Sequence, residues 1–311
     1  MNHLDQEYRR TGIGGSDVGA ILGVNPFRSP LDVYMDKLGL RVPEPENEKM
    51  LWGRVLEPAI AQEFCERHGF AMIPGRHKTD EIDGVRVFGT TDFLLHNPGF
   101  HVLEIKTAGS QMAKFWGEPG TDNAPLTYIA QVALYLMLED VDQGFIAALI
   151  GGQDYREYEI PRDRELEAAI REAVVEFWKG CVEGQNPPQA RSAEEYQKFL
   201  RARYPRSRGN LLQADPAAAT RMRELANIRT ELKALEAQEL DCVTFLQGVI
   251  AESDGVQSEE FQATWKSAKD TEVIDFKQLV DDLKLPKEQI DRYKSKKPGA
   301  RRFLFKQLKA A

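Results

Sequence analysis

The chain has 311 residues, a formal net charge of −8, 42 % hydrophobic and 29 % charged residues, enough apolar material for one large domain or two ordinary ones. No apolar run approaches the roughly 20 residues that span a bilayer, the opening MNHLDQEYRR lacks a signal-peptide core, and the acidic balance argues against a protein that coats nucleic acid. Cys65, Cys181 and Cys242 are scattered and form no CxxC pair, zinc pattern or four-cysteine iron–sulfur set, so a reducing cytoplasm is the expected setting.

In chain order, RRTGIGGSDVGAILGV at 9–24 places Gly12, Gly14 and Gly15 ahead of an apolar-periodic stretch, with Ser16 or Asp17 expected as helix N-cap. The GxGG resembles a dinucleotide fingerprint only superficially, because no strand is expected before it. Glycine-rich backbone entering a helix, with a serine hydroxyl and two nearby arginines, can cradle a phosphate. Taken alone, the run favours a tight turn with an ordinary cap. Asn25-Pro26-Phe27 ends that helix, and Ser29-Pro30 starts another to about Leu38. Residues 41–48 are an acidic, proline-bearing loop. Leu51, Val55, Ile60 and Phe64 then follow helical spacing up to Gly69 as C-cap. Within this helix Glu57 precedes Pro58 among apolar neighbours, either exposed or turned toward a site.

Residues 85–107, VRVFGTTDFLLHNPGFHVLEIKT, read as three short strands, the last two a hairpin about Asn97-Pro98-Gly99. That pairing sets Asp92 beside Glu104 and Lys106, which share one face of the sheet while Ile105 points to the other. Two carboxylates and an amine suit divalent-metal phosphodiester chemistry. Mg²⁺ takes hard carboxylate oxygens; it lowers the pKa of a bound water and neutralises charge on the phosphate, while Lys106 orients or helps deprotonate that water. Acidic-x-Lys triplets occur four times, at Glu104/Lys106, Glu231/Lys233, Asp275/Lys277 and Asp282/Lys284. The last three lie in helical stretches, where such pairs decorate a solvated face. A cross-strand ion pair of Asp92 and Glu104 with Lys106 is the alternative these residues leave open.

Next come a short helix at 110–116, a loop, and an almost wholly apolar helix at 126–138, buried on most faces. Tyr128 and Gln131 share one of its faces; a buried glutamine needs partners, and a core hydrogen bond would supply them. GFIAALIGG is a buried strand, DYREYEI an alternating one, and 162–184 a long amphipathic helix. The order implies an α/β core, a mixed sheet flanked by helices.

R-x-x-G-I-G-G-S-D at 9–17, followed by ILGVNPFRSP, resembles the amino-terminal signature of the YqaJ-type phage recombinases, relatives of the lambda exonuclease in the PD-(D/E)xK superfamily. WGRVLEP around Glu57, GTTD at Asp92, LEIK at 103–106, and Tyr128-x-x-Gln131 follow in the family's order, and FIAALIGGQDYREYEI fits its next hairpin. The matches cover about residues 8–180. The resemblance implies that Asp92, Glu104 and the backbone carbonyl of Ile105 bind Mg²⁺, with Mn²⁺ as a substitute, and that Lys106 positions the attacking water. Glu57 adds a carboxylate on the metal or water side, and Gln131 helps hold the site. Arg9, Ser16 and Thr90 match positions that contact a terminal 5′-phosphate, with Arg9 preferred to Arg10 on register alone. Thr91 stands where the superfamily often has proline, at a position that is not a ligand.

The implied activity is a cytoplasmic Mg²⁺-dependent 5′-to-3′ exonuclease acting on linear double-stranded DNA ends and releasing 5′-mononucleotides. The remaining 3′ strand passes to a single-strand annealing protein of the RecT/Bet type during phage-type recombination. A homo-oligomer, in some relatives a ring, is implied, and neither a membrane nor an iron–sulfur cluster is. A PD-(D/E)xK endonuclease or RecB-like nuclease is a second reading, and a non-catalytic DNA-end binder a third. The complete Asp92, Glu104 and Lys106 set disfavours the third.

The PD-(D/E)xK-like nuclease core is expected at 1–190, a helical segment at 191–255, and a small basic α+β appendage at 256–311. Between 216 and 252 Leu225, Ile228, Leu232, Leu235, Cys242, Leu246 and Val249 follow 3–4 spacing, as one helix or a helical hairpin. With few heptads, this reads as an intrachain packing seam rather than a self-association coil. Asp254-Gly255 then turns the chain, FQATWKSA is a strand, Asp275 caps a helix to Leu285, another runs from Pro286 to about Lys294, and 301–305 forms a closing strand able to pair with the first. Trp265 and Lys266, with Arg301 and Arg302 in the basic run, are candidates for DNA contact by stacking and phosphate binding.

Overall fold

The computed structural model describes residues 6–41 and 45–269, then 275, 278–279, 282–284, 286–294, 303 and 305. Two compact units divide the chain, Met1–Pro205 and Arg206–Ala311. The first contains, in order, α1 (Gln6–Arg9), β1 (Ile13–Gly14), α2 (Gly15–Ile21), α3 (Pro30–Lys37), α4 (Glu48–His68), β2 (Ala71–Pro74), β3 (His77–Ile82), β4 (Val85–Thr90), β5 (Phe93–His96) and β6 (Phe100–Ala108). A 3₁₀ turn (Ser110–Phe115), α5 (Leu126–Glu139), β7 (Gln143–Ile150), β8 (Asp154–Pro161), α6 (Arg164–Glu176) with a π-helical continuation (Phe177–Glu183), and α7 (Ala193–Arg203) complete it.

The larger sheet has the order β2-β5-β6-β7-β8, parallel between β6 and β7 and antiparallel elsewhere. This is the mixed sheet flanked by helices that was expected. On one face Ile60, Ala61, Phe64 and Cys65 of α4 pack on Leu95, Leu103, Ile105 and Phe145. Val132, Tyr135 and Leu136 of α5 pack on the other, against Leu94, Val102, Ile146 and Ala148. The opposite side of α5, through Ala130, Ala133 and Leu134, meets Ile13, Val18, Val85 and Val87. Helix α5 is thus enclosed between two sheets, which accounts for its nearly unbroken apolar sequence. Along β6 the strand alternation turns Val102 and Glu104 toward α5 and Leu103 and Ile105 toward α4.

The second sheet departs from expectation. β4 lies there, in the order β1-β4-β3, so the chain leaves one sheet at Thr90 and enters the other at Phe93. Strands β2 and β3 carry no apolar alternation: only Ile82 among them is buried, and pairing with β5 and β4 makes them strands. Nor is the glycine run free of strand, since Ile13 and Gly14 pair in parallel with Val87 and Phe88. Gly14, not Ser16 or Asp17, is the N-cap of α2. Asp17 points inward and accepts the Gly14 N–H at 3.0 Å.

Past Asn186-Pro187-Pro188 the packing continues. Phe199 of α7 is buried and meets Tyr34 of α3 with ring centroids 6.0 Å apart. In the second unit α8 (Pro216–Ile250) is one helix, capped by Asp215. The seam expected on it is not packed: Ile228, Leu232, Leu235, Leu246 and Val249 are exposed. β10 (Gln262–Thr264) pairs antiparallel with the adjacent β9 (Gly255–Gln257), because a short loop closes more cheaply than a long one. Asp275 accepts the Gln278 N–H at 3.0 Å, and α9 (Lys287–Asp291) follows. Arg301, Arg302 and most of the proposed closing strand lie outside the described residues. No helix among the described residues is long and apolar enough to cross a membrane.

A buried ion cluster ties α1, α2 and α3 together under the glycine run. Asp17, 1 % exposed, accepts from Lys37 Nζ at 2.5 Å and Arg28 Nη1 at 2.6 Å. Lys37 also donates to the Arg9 carbonyl at 2.8 Å, and Arg28 reaches Asp36 at 2.6 Å. Burial alone would raise the Asp17 pKa; the Lys37 and Arg28 charges outweigh it and hold the carboxyl well below the usual range. Asp17→Asn leaves Lys37 buried without a counter-charge and should lower stability by about 3 kcal/mol in urea melts at pH 7. The stability tied to a depressed carboxyl is present above its unfolded pKa and lost as pH falls toward the folded one. The substitution should therefore also flatten the acid-side loss below pH 3.8; an unchanged acid limb would count against it.

Candidate active site

The β5–β6 hairpin sets Phe93 opposite Leu103, which brings Asp92, just ahead of β5, beside Glu104. Asp92 Oδ2 accepts the Ile105 N–H at 2.8 Å. Glu104 is 2 % exposed. Its Oε1 accepts from Lys106 Nζ at 2.5 Å and from Gln131 Nε2 of α5 at 2.7 Å, while Oε2 is buried without a hydrogen-bond partner. Lys106 Nζ also lies 5.0 Å from the Tyr128 ring centroid, and that ring stacks on Trp116. Tyr128 therefore serves the lysine and Gln131 the carboxylate, from one face of one helix.

Glu57 comes from α4. One turn earlier on that helix Gly53 abuts the end of β6, where an added Cβ would lie 3.2 Å from Thr107 Oγ1. Burial, then the Asp92 charge, pushes the Glu57 carboxyl up to about 7, against Lys106. Burial and Asp92 likewise push Glu104 up to about 8. Burial raises Asp92 as well. For Lys106, burial works to lower the pKa, and the Glu104 and Asp92 charges outweigh it, so the ammonium is held charged. Three carboxylates thus share one cation. Among the described residues no three His, Cys, Asp or Glu side chains are already gathered as a metal cage. Lys106 is bonded to Glu104 Oε1, and the Ile105 amide to Asp92 Oδ2.

A second polar group forms at the start of the chain. Arg9 Nη2 donates to Ser16 Oγ at 3.2 Å, and both residues are exposed. Arg10 packs elsewhere, against Gly39, where an added Cβ would lie 2.9 Å from its Cζ. Thr90 Oγ1 is 3.3 Å from His77 Nδ1, and His77 Nε2 is 3.1 Å from Tyr8 Oη. Trp265 and Lys266 belong to the second unit. Both are exposed, and Lys266 lies 3.5 Å from Asp254.

Sequence reasoning missed Tyr135, whose hydroxyl accepts from Gln131 Nε2 at 2.9 Å. The signal was available, since Tyr135 follows Gln131 by one helical turn on the same face. It also missed His77, Tyr8 and Lys37, which no local pattern marks and only tertiary packing brings to Thr90 and Arg9.

Comparison with known proteins finds similarity to this arrangement. Residues 6–142 match the model of the YqaJ-like viral recombinase domain. An uncharacterised protein, YqaJ of Bacillus subtilis (strain 168), is 28 % identical over 277 residues, 88 % of this chain and 85 % of that one. Among solved structures, an alkaline exonuclease from Laribacter hongkongensis is similar with a TM-score of 0.44 and 18 % identity, covering 64 % of this chain and 97 % of that one. A phage-related exonuclease from Haemophilus somnus 129PT gives 0.42 and 14 %, covering 56 % and 96 %. The stretch 6–142 that resembles the YqaJ-like viral recombinase domain holds Arg9, Ser16, Glu57, Thr90, Asp92, Glu104, Lys106 and Gln131.

Proposed function

We propose that the chain is a divalent-metal-dependent exonuclease that digests one strand of linear duplex DNA from its 5′ end, releasing 5′-mononucleotides. The observation that carries this reading is Glu104: a buried carboxylate beside Asp92, bonded to Lys106, with one oxygen left unsatisfied. A viral recombinase domain around that centre supports DNA ends as the substrate.

The donor set fits a hard cation. Glu104 Oε2 lacks a partner, and the carboxyls of Glu57, Asp92 and Glu104 are all pushed upward, as expected where negative charge is under-compensated. Asp92, Glu104, Glu57 and the Ile105 carbonyl would hold Mg²⁺, or Mn²⁺ in its place. Bound there, the ion would acidify water and neutralise charge on the phosphate.

The chain's own groups do the rest. Lys106, kept protonated, donates a hydrogen bond to the attacking water. Gln131 fixes the Glu104 carboxylate against rotation. Arg9, Ser16 and Thr90 receive the terminal 5′-phosphate. Attack on the next phosphorus breaks its bond to the 3′ oxygen, so the nucleotide leaves with its own 5′-phosphate and a 3′-hydroxyl. The shortened strand again carries a 5′-phosphate, which renews the end that Arg9 recognises. Transfer of the 3′ strand to a single-strand annealing protein, assembly as a homo-oligomer about the duplex, and duplex contact by Trp265 and Lys266 belong to the same reading.

Lys106→Ala should slow cleavage by at least about 10²-fold while sparing Mg²⁺-dependent DNA binding. A linear duplex phosphorylated at one 5′ end should lose only that strand, and a closed circle should persist. Full activity in the variant removes Lys106 from the mechanism, and nicking of the circle makes the protein an endonuclease.

A carboxyl whose folded pKa is raised gives stability that is full below its unfolded pKa and lost as pH rises through the folded one. Metal-free protein should therefore melt at progressively lower temperature from pH 4.5 toward about 8, the range set by Glu104. Glu104→Gln should flatten this slope, and Mg²⁺ should restore the melting temperature at the alkaline end. A slope unchanged in the variant would show that other groups set it.

A further inference from the structure

Tyr135 stands between the two polar groups of the site, bonded to Gln131 on one side and packed against the glycines that precede Ser16 and Thr90 on the other. Its hydroxyl accepts from Gln131 Nε2 at 2.9 Å, and the same nitrogen donates to Glu104 Oε1 at 2.7 Å. On the other side its ring lies against two glycine backbones. A Cβ added at Gly15 would come within 2.4 Å of Tyr135 Cε1, and one added at Gly89 within 2.5 Å of the same atom. Gly15 immediately precedes Ser16, and Gly89 immediately precedes Thr90. Neither backbone could approach the ring so closely if it carried a side chain. Burial pushes the phenol well above its usual range, so Tyr135 acts as a neutral hydrogen-bonding group and not as a base.

We propose that Tyr135 is a positioning residue that sets the spacing between the 5′-phosphate grip and the carboxylate centre. Its ring packs on the Gly15 and Gly89 backbones, one residue before Ser16 and Thr90, and its hydroxyl holds Glu104 through Gln131. This rests on the reading of Arg9, Ser16 and Thr90 as phosphate ligands. The two roles sit on different atoms of one side chain and are separable by substitution. A residue that merely filled the core would slow all ends alike.

The test compares cleavage rates on linear duplexes that differ only in a 5′-phosphate or 5′-hydroxyl, across a Mg²⁺ series, for wild type, Tyr135→Phe, Tyr135→Leu, Gly89→Ala and Arg9→Ala. Tyr135→Phe keeps the ring: it should retain the phosphate preference within about twofold, slow both ends roughly fivefold, and raise the Mg²⁺ midpoint. Tyr135→Leu should lose the preference, as Arg9→Ala does, and Gly89→Ala, which pushes the ring away, should reduce it. Tyr135→Leu with a wild-type preference, where Arg9→Ala has lost it, overturns the role of Tyr135 alone. Arg9→Ala with a wild-type preference overturns the phosphate grip and this inference with it. If Tyr135→Leu does not fold, the remaining pair decides: loss of preference in Tyr135→Phe, or an intact preference in Gly89→Ala, overturns the proposal.

Discussion

A carboxylate at 2 % exposure constrains everything near it. Removing a charge from water is costly unless geometry and hydrogen bonds compensate it, and Glu104 obtains its compensation from two directions. Lys106 reaches it from two residues along the same strand, and Gln131 from the helix above. A polar residue in the middle of α5 is otherwise at odds with a segment packed on both sides. The position of the helix, the register of β6 and the one amide among α5's inward-facing apolar side chains are all tied to this single charged group.

Asp17 shows what a fully compensated buried carboxylate looks like in the same molecule. Both of its oxygens are bonded, to two cations and a backbone amide, and its pKa is driven down. Glu104 has one bonded oxygen, one orphan oxygen, two other carboxylates nearby and a pKa driven up. The first pattern is that of a structural tie, in which nothing further is needed. The second leaves capacity for a ligand, and perturbed carboxylates of this kind gather where chemistry is done. The contrast needs no knowledge of the reaction, because it follows from counting partners.

Much of this was legible in the sequence. The HNPG turn and the apolar runs around it placed β5 and β6 correctly, and with them Asp92, Glu104 and Lys106, since strand period and hairpin pairing are local properties. The α5 segment was legible because burial on both sides leaves an unbroken apolar run. Strands β2 and β3 were not, since HKTDEI and AMIP have exposed, mixed faces and owe their conformation to partners. The assignment of β4 to a separate sheet was equally hidden, because no local signal tells a strand which sheet it joins. Glu57 had two readings, exposed or turned toward a site, and is half-buried; Asp17, expected as an N-cap candidate, is buried instead. Arg10 meets Gly39, nearly thirty positions away, a contact that no local pattern announces. Tyr135 was within reach of the helical period and was missed because an aromatic in an apolar helix looks like core, which it also is.

The crossing from one sheet to the other between Thr90 and Asp92 has a mechanical meaning. Two residues of backbone span at most about 7 Å, so under the proposed function the group that grips the end of a strand and the group that meets the bond to be broken are joined by a tether too short to vary. A measuring device built across two domains would stretch and relax with their motion. One built into two peptide units, between sheets that share a packed helix, is a rigid gauge. Under the proposed function, the length of DNA removed per event would be a property of covalent geometry, insensitive to how the rest of the protein moves.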